Sequence, residues 1–164
     1  LELIQRLKKM GVNPSIIIDV GCGTGILSIA LAKLFPSRII AVDNDIHSVQ
    51  MTQRNIVLNK VVQYVKVYNS TGLIGNHLNS RAKYDLIVAN ILFKPIKILM
   101  RTFIANLSKG GFLILSGLNI KQARQLKEIS KQFGLKVIDE RKESNWGSLL
   151  LKRIDGKRAI KQSY

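Results

Sequence analysis

The chain has 164 residues, 46% hydrophobic and 22% charged, enough to bury a core of its own and unlike disordered, collagenous or disulfide-scaffold compositions. Its 26 Lys and Arg against 10 Asp and Glu give a formal net charge of +16, weighted to the C-terminal half: residues 1–82 hold 9 basic and 4 acidic side chains, residues 83–164 hold 17 and 6. One cysteine, Cys22, excludes an internal disulfide and a cysteine-based metal cluster, and no apolar run reaches the ~18 residues of a membrane span. The start, Leu1-Glu2-Leu3-Ile4, lacks the basic-then-apolar order of a signal peptide, so a soluble protein of the reducing cytoplasm is expected, with no metal site. The positive charge has two readings. Clustered Lys and Arg would neutralise the phosphates of RNA or of a ribonucleoprotein surface; in a composition rich in Lys, Ile and Asn they would simply be solvated.

In chain order, periodicity predicts a helix over Glu2–Met10, closed by Gly11 and Pro14, then a short apolar strand over Ser15–Val20. A helix over Ile26–Phe35 stops at Pro36, and a strand over Arg38–Val42 leads to a helix over Ile46–Asn59, for which Asp45 is the expected N-cap. Strands follow over Tyr64–Tyr68 and Tyr84–Ala89. Next come a helix over Ile96–Leu107 ended by Gly110-Gly111, a strand over Phe112–Leu115, and a helix over Ile120–Phe133 ended by Gly134. Strands over Leu135–Arg141 and Ser148–Arg153 complete the pattern, which reads as a single domain over 1–154 with a basic tail over 155–164. Short, nearly continuous apolar strands alternating with amphipathic helices predict a doubly wound α/β fold: a mostly parallel, seven-stranded sheet with helices on both faces.

In such a sheet ligands bind beyond the carboxyl ends of the strands. The polar residues following the apolar runs are Gly21-Cys22-Gly23-Thr24-Gly25, Asp43-Asn44-Asp45, Asn69-Ser70, Asn90 and Ser116-Gly117. The glycine turn follows a strand and opens a helix, so its backbone can turn tightly and a ligand can approach its N–H groups. A dinucleotide site of the G-x-G-x-x-G type needs a third glycine where Ile26 stands, and the Gly-Lys-Ser/Thr of a P-loop is missing. The pattern present is D-x-G-x-G-x-G. Asp19, two residues before Gly21, would repel a pyrophosphate but suits a ligand with an ammonium group. Asp43, eighteen residues beyond Gly25, is placed to accept hydrogen bonds from the two hydroxyls of a ribose. A nucleoside with an amino-acid tail meets both demands.

Asp19–Gly25 with Asp43 resembles the cofactor signature of class I S-adenosylmethionine-dependent methyltransferases. The resemblance implies that Gly21, Gly23 and Gly25 pack against the methionine and ribose portion while Asp43 holds the ribose. The segment Ala89-Asn90-Ile91-Leu92, with Pro95 five residues after Asn90, lacks the Asn-Pro-Pro-aromatic run of amide and exocyclic-amine methylators and is instead similar to the PrmA family. Further similarity lies in Leu107-Ser108-Lys109-Gly110-Gly111-Phe112, in Gln122-Ala123 and in Asn145-Trp146-Gly147-Ser148, so that residues 3–153 are covered.

That family methylates ribosomal large-subunit protein eleven on lysine side chains and on the N-terminal amine, using S-adenosyl-L-methionine. The resemblance therefore implies a ribosomal protein as substrate. It also implies that the family's substrate-recognition domain, which precedes the catalytic domain, is absent from this segment. Many class I enzymes place an Asp after the third strand to bind the adenine amine; here Asn69-Ser70-Thr71 stands there, leaving Ser70 or backbone groups for that role. Asn90 is expected to orient the acceptor amine or the amino-acid end of the cofactor. Cys22 is expected to be a small filler, Trp146 either core or a wall of the acceptor pocket, and His47 and His77 surface residues. An RNA methyltransferase and an inactive cofactor-binding module working through its basic surface are the other readings the sequence leaves open.

Overall fold

The computed structural model describes residues 1–73 and 83–154; His77 and the basic tail over 155–164 lie outside the described residues. The elements are α1 (Glu2–Lys9), β1 (Ile16–Val20), α2 (Ile26–Leu34), β2 (Arg38–Asp43), α3 (Ile46–Leu58), β3 (Val65–Asn69), β4 (Tyr84–Asn90), α4 (Phe93–Asn106), β5 (Leu107–Asn119), α5 (Ile120–Gln132), β6 (Leu135–Glu143) and β7 (Trp146–Arg153). The strands form one seven-stranded sheet in the order β3-β2-β1-β4-β5-β7-β6. Pairs among β1 to β5 are parallel, and β7 runs antiparallel between β5 and β6. The chain steps outward from β1 through β2 to β3, then returns to lay β4 on the other side of β1. That reversal opens a crevice beyond the carboxyl ends of β1 and β4.

Each face of the sheet carries its own core, because successive strand residues point to opposite sides. Ile18, Val20, Ile87 and Ala89 pack on one face with Ile96, Met100 and Phe103 of α4 and Ala123 and Leu126 of α5. Ile17, Leu86 and Val88 pack on the other with Leu3, Ile4 and Leu7 of α1, Leu31 of α2 and Ile56 of α3. Among the described residues, no helix is long and apolar enough to cross a membrane.

Most elements differ from the periodicity reading by one residue at an end, and three regions differ by more. α4 starts at Phe93 rather than Ile96, with Pro95 inside its first turn, where backbone N–H groups have no helical partner to lose. Gly110-Gly111 does not close α4, which already ends at Asn106; both glycines lie inside β5, which is far longer than Phe112–Leu115. Gly110 takes φ +70, and the β4–β5 register slips between Tyr84 and Leu86. A Cβ on Gly111 would stand 2.9 Å from the Ser108 carbonyl oxygen. The glycines thus serve a bulge, which bends a strand without ending it. The third difference is that β6 and β7 run on to meet in a tight hairpin at Ser144-Asn145, Ser144 taking φ +51.

Asp45 caps α3 as expected, accepting from the backbone N–H of His47 (3.1 Å) and Ser48 (3.2 Å). The Ser48 hydroxyl and the His47 N–H hold its carboxyl below the usual range. Asp45→Ala removes the cap and is expected to lower the urea denaturation midpoint. An unchanged midpoint would remove this role.

Candidate functional site

The glycine turn hangs on the end of β2: Gly21 and Cys22 N–H groups donate to the Val42 carbonyl oxygen at 2.8 and 3.1 Å. Gly21, Gly23 and Gly25 all have positive φ, at +74, +54 and +80. Their surroundings differ. A Cβ on Gly21 would lie 2.2 Å from Cγ2 of Ile91, and one on Gly25 would lie 2.8 Å from Cγ2 of Thr52, whereas one on Gly23 would meet nothing within 4 Å. Gly21 and Gly25 are therefore packing glycines, and Gly23 faces open space that a ligand can approach.

α3 holds this turn from the side. Thr52 donates from Oγ1 to the Gly23 carbonyl oxygen (2.9 Å), and Asn55 donates from Nδ2 to that of Thr24 (2.8 Å). Sequence reading missed both. Three residues apart on one helix, they are ordinary polar side chains until the fold sets them against a loop nearly thirty positions earlier. Cys22 fills space beneath the turn, its thiol pushed up to about 11 by burial, which leaves it unreactive.

Asp43 ends β2 facing the turn. Its Oδ2 accepts from the Gly23 N–H at 2.9 Å and its Oδ1 from the Asp45 N–H at 3.0 Å. A carboxylate offers about four acceptor positions, so about two remain. Ser70 follows β3, its N–H donating to the Asp43 carbonyl oxygen at 2.8 Å, which brings the third strand end against the second.

Asp19 is fully buried. Its Oδ2 accepts from the Ser28 hydroxyl of α2 at 2.6 Å, while its Oδ1 has no partner. Burial is the largest influence and raises its pKa from 3.8 to about 6, against the Ser28 hydrogen bonds and with a small push from Asp43. A carboxyl whose folded pKa is raised binds more protons folded than unfolded, so this contribution falls as pH rises from about 4 to about 6 and stays low above that. Asp19→Asn is expected to raise stability at pH 7.5, by up to about 3 kcal/mol for the roughly two-unit shift, and to change it little below pH 4. Thermal melts at both pH values read this, and equal effects at the two would refute it.

Asn90 ends β4 beside Ser116 of β5. Gly117, at φ +77, leaves room for it: a Cβ there would stand 2.7 Å from Asn90 Oδ1. Because Ile91 packs on Gly21, Asn90 is drawn to the edge of the glycine turn. Beside it lies a cavity of about 850 Å3, lined by Asn90, Ser116 and Gly117, by Leu1 to Ile4, and by the β6–β7 hairpin including Trp146. Val88, next to Asp19 in the β1–β4 register, and Leu27, next to Ser28, also line it. Of the expected site residues, Asn90 and, in its pocket-wall reading, Trp146 line this cavity; the glycine turn, Asp43 and Ser70 lie beyond its lining.

Trp146 is 62% exposed and stands on the hairpin. The core alternative for it is thus excluded. His47 is exposed at the start of α3, as expected.

S-Adenosylmethionine fits these residues on two observations. The cradle at Gly23 is open where a Cβ would otherwise intrude, and an unpartnered buried carboxylate oxygen lies under the turn where a ligand's ammonium group would be favoured. No group of three or more His, Cys, Asp or Glu able to hold a metal exists among the described residues.

The strand order, the β1 glycine turn, the acid closing β2 and the reversed β7 define the fold of Rossmann-like methyltransferases. The family model "Ribosomal protein L11 methyltransferase (PrmA)" matches residues 1–154, and the chain belongs to that family. Ribosomal protein L11 methyltransferases of Campylobacter concisus and Bradyrhizobium diazoefficiens are 36% and 35% identical over 155 and 154 residues, in each case 94% of this chain and 52% of the relative. The chain therefore spans about half the length of these relatives. The crystal structure of a ribosomal protein L11 methylase from Lactobacillus delbrueckii subsp. bulgaricus superposes with a TM-score of 0.82 at 26% identity, covering 93% of this chain and 78% of that one.

Proposed function

We propose that residues 1–154 are the catalytic unit of a cytoplasmic S-adenosylmethionine-dependent methyltransferase acting on amine nitrogens, lysine side chains or the N-terminal amine, of a ribosomal protein. The observation that carries the reading is the contact between Gly21 and Ile91, which sets the open glycine cradle against Asn90 and the cavity beside it. The remaining acceptor positions of Asp43 take the ribose hydroxyls, Ser70 and the neighbouring backbone serve the adenine, and Asp19 supplies negative charge for the ligand's ammonium group. When bound, the cofactor brings an already activated methyl group on its sulfonium. What is left to the chain is alignment and exclusion of water.

Asn90 points its amide toward Gly117 at the cavity, where it can hold either an incoming amine or the amino-acid end of the cofactor. Trp146 also lines the cavity and offers an aromatic face to an alkylammonium side chain before it loses its proton. The two roles of Asn90 separate in its variant. Asn90→Ala is expected to lower methyl transfer by tenfold or more; cofactor affinity changed less than threefold assigns Asn90 to the amine, and a larger loss assigns it to the amino-acid end of the cofactor, whereas Trp146→Ala should act mainly on the apparent affinity for acceptor.

The test is transfer of labelled methyl from cofactor to ribosomal protein L11 and, separately, to ribosomal RNA. It is performed with the chain in its full-length context, because remote contacts position an acceptor. Label on the protein alone supports the reading; label on RNA alone, or none despite cofactor binding, overturns it.

A further inference from the structure

No Asp or Glu stands between Asp85 and Glu128, and the same stretch carries Lys94, Lys97, Arg101, Lys109, Lys121, Arg124 and Lys127. The fold turns this imbalance into a surface. On α4, Lys94, Lys97, Ile98 and Arg101 are all exposed and recur at i, i+3, i+4 and i+7, opposite the buried Ile96, Met100 and Phe103. On α5, Lys121 and Arg124 are exposed in the first turns, and the helix packs on the same face of the sheet as α4. Among the described residues none of these five cations has an ion pair. The acids Glu2, Glu128, Asp139 and Glu140 instead answer Arg6, Lys127, Lys131, Arg141 and Lys142. Lys97 lies over the Phe93 ring at 4.7 Å, which steadies its stem and leaves it exposed.

We propose that the outer faces of α4 and α5, through Lys94, Lys97, Arg101, Lys121 and Arg124, form a docking surface for the phosphate backbone of RNA beside the candidate transfer site. Charge complementarity carries the choice of occupant. From Lys94 to Arg101 the cations run about 10 Å along the helix at 1.5 Å per residue, a length over which a duplex presents several phosphates. An anionic membrane would need an apolar helix face to insert, and that of α4 is already spent on the core, leaving Ile98 alone at 78% exposure. The surface is placed to matter for transfer: α4 begins three residues after Asn90, and α5 begins directly after Asn119, which ends β5. A basic enzyme repels a basic acceptor, and RNA held on this face would offset that repulsion. The proposal rests on the ribosomal reading for its choice of RNA over other polyanions.

The experiment compares three charge-reversed chains of equal or similar net charge. The first is Lys94→Glu, Lys97→Glu and Arg101→Glu; the second Lys121→Glu and Arg124→Glu; the third, a control at exposed cations elsewhere, Lys9→Glu, Arg54→Glu and Lys66→Glu. Lys94 lies in the first turn of α4, where an acid favours the helix dipole, and Lys97 and Arg101 are exposed, so the first variant should fold, and a melt and a cofactor titration on each confirm it. Binding of a mixed-sequence RNA stem is followed by anisotropy at about 50 and about 200 mM salt. The parent should bind with a steep salt dependence, and the α4 variant should lose tenfold or more with a slope flatter by about two to three. The α5 variant should lose several-fold and the control less than threefold. Equal losses in the α4 variant and the control would overturn the proposal by reducing it to net charge. So would tighter binding to vesicles containing phosphatidylserine than to RNA, or no RNA binding by the parent. Cofactor affinity that holds in every chain while RNA binding fails sinks this inference without touching the methyltransferase reading.

Discussion

Gly21→Ala is expected to destabilise the chain by about 2–5 kcal/mol, while Gly23→Ala, two residues away, should cost only about 1–2 kcal/mol yet abolish measurable cofactor binding. Both substitutions place a Cβ at positive φ, which costs an L-residue roughly 1–2 kcal/mol. At Gly21 the new carbon would also stand 2.2 Å from Ile91 Cγ2, so the turn or the β4–α4 connection must move, an overpacking cost of about 1–3 kcal/mol more. At Gly23 it would meet no protein atom, and its only obstruction is to whatever approaches the cradle. Urea denaturation and calorimetric titration with the cofactor, run on both variants, separate packing from ligand access. If Gly23→Ala bound normally, the cradle would not be the ligand site, and if Gly21→Ala were as stable as Gly23→Ala, the contact with Ile91 would not govern the turn.

That division of labour was invisible in the sequence, where the three glycines look alike. The sequence does specify what depends on local chemistry. The apolar β1, the glycine turn and α2 follow from neighbours within ten residues, and so do the Asp45 cap, the Gly11 and Gly134 helix ends and the alternation that makes the sheet doubly wound. Features that depend on distant partners were not legible. Gly110-Gly111 reads as a helix stop, and only pairing with β4 makes it a bulge within a long strand. Periodicity starts the fourth helix at Ile96, although its first turn tolerates Pro95. Trp146 reads as either core or pocket wall, because nothing nearby says that the β6–β7 hairpin lines the cavity. Thr52 and Asn55 carry no motif at all, and their function is given entirely by the loop that α3 faces.

Asp43→Ala should raise the cofactor dissociation constant by a hundredfold or more, the largest affinity loss expected from any single side chain at the glycine turn. Each charge-assisted hydrogen bond to a ribose hydroxyl contributes roughly 1.5–3 kcal/mol, and the carboxylate has about two acceptor positions left for them. A second loss is built into the fold. The same carboxylate receives the Gly23 N–H at 2.9 Å and the Asp45 N–H at 3.0 Å, so its removal frees the glycine turn as well as the ribose. Asp43→Asn separates the two: its amide oxygen can keep one of these acceptor bonds, while its NH2 group faces an N–H where an acceptor stood. It should therefore bind more weakly than the parent and somewhat better than Asp43→Ala. Calorimetry at pH 7.5 with the demethylated product, which cannot turn over, reads affinity without catalysis. Parent-like affinity in Asp43→Ala would take the ribose away from β2, and the cofactor would then have to lie on the cavity side of Asn90 rather than across the glycine turn.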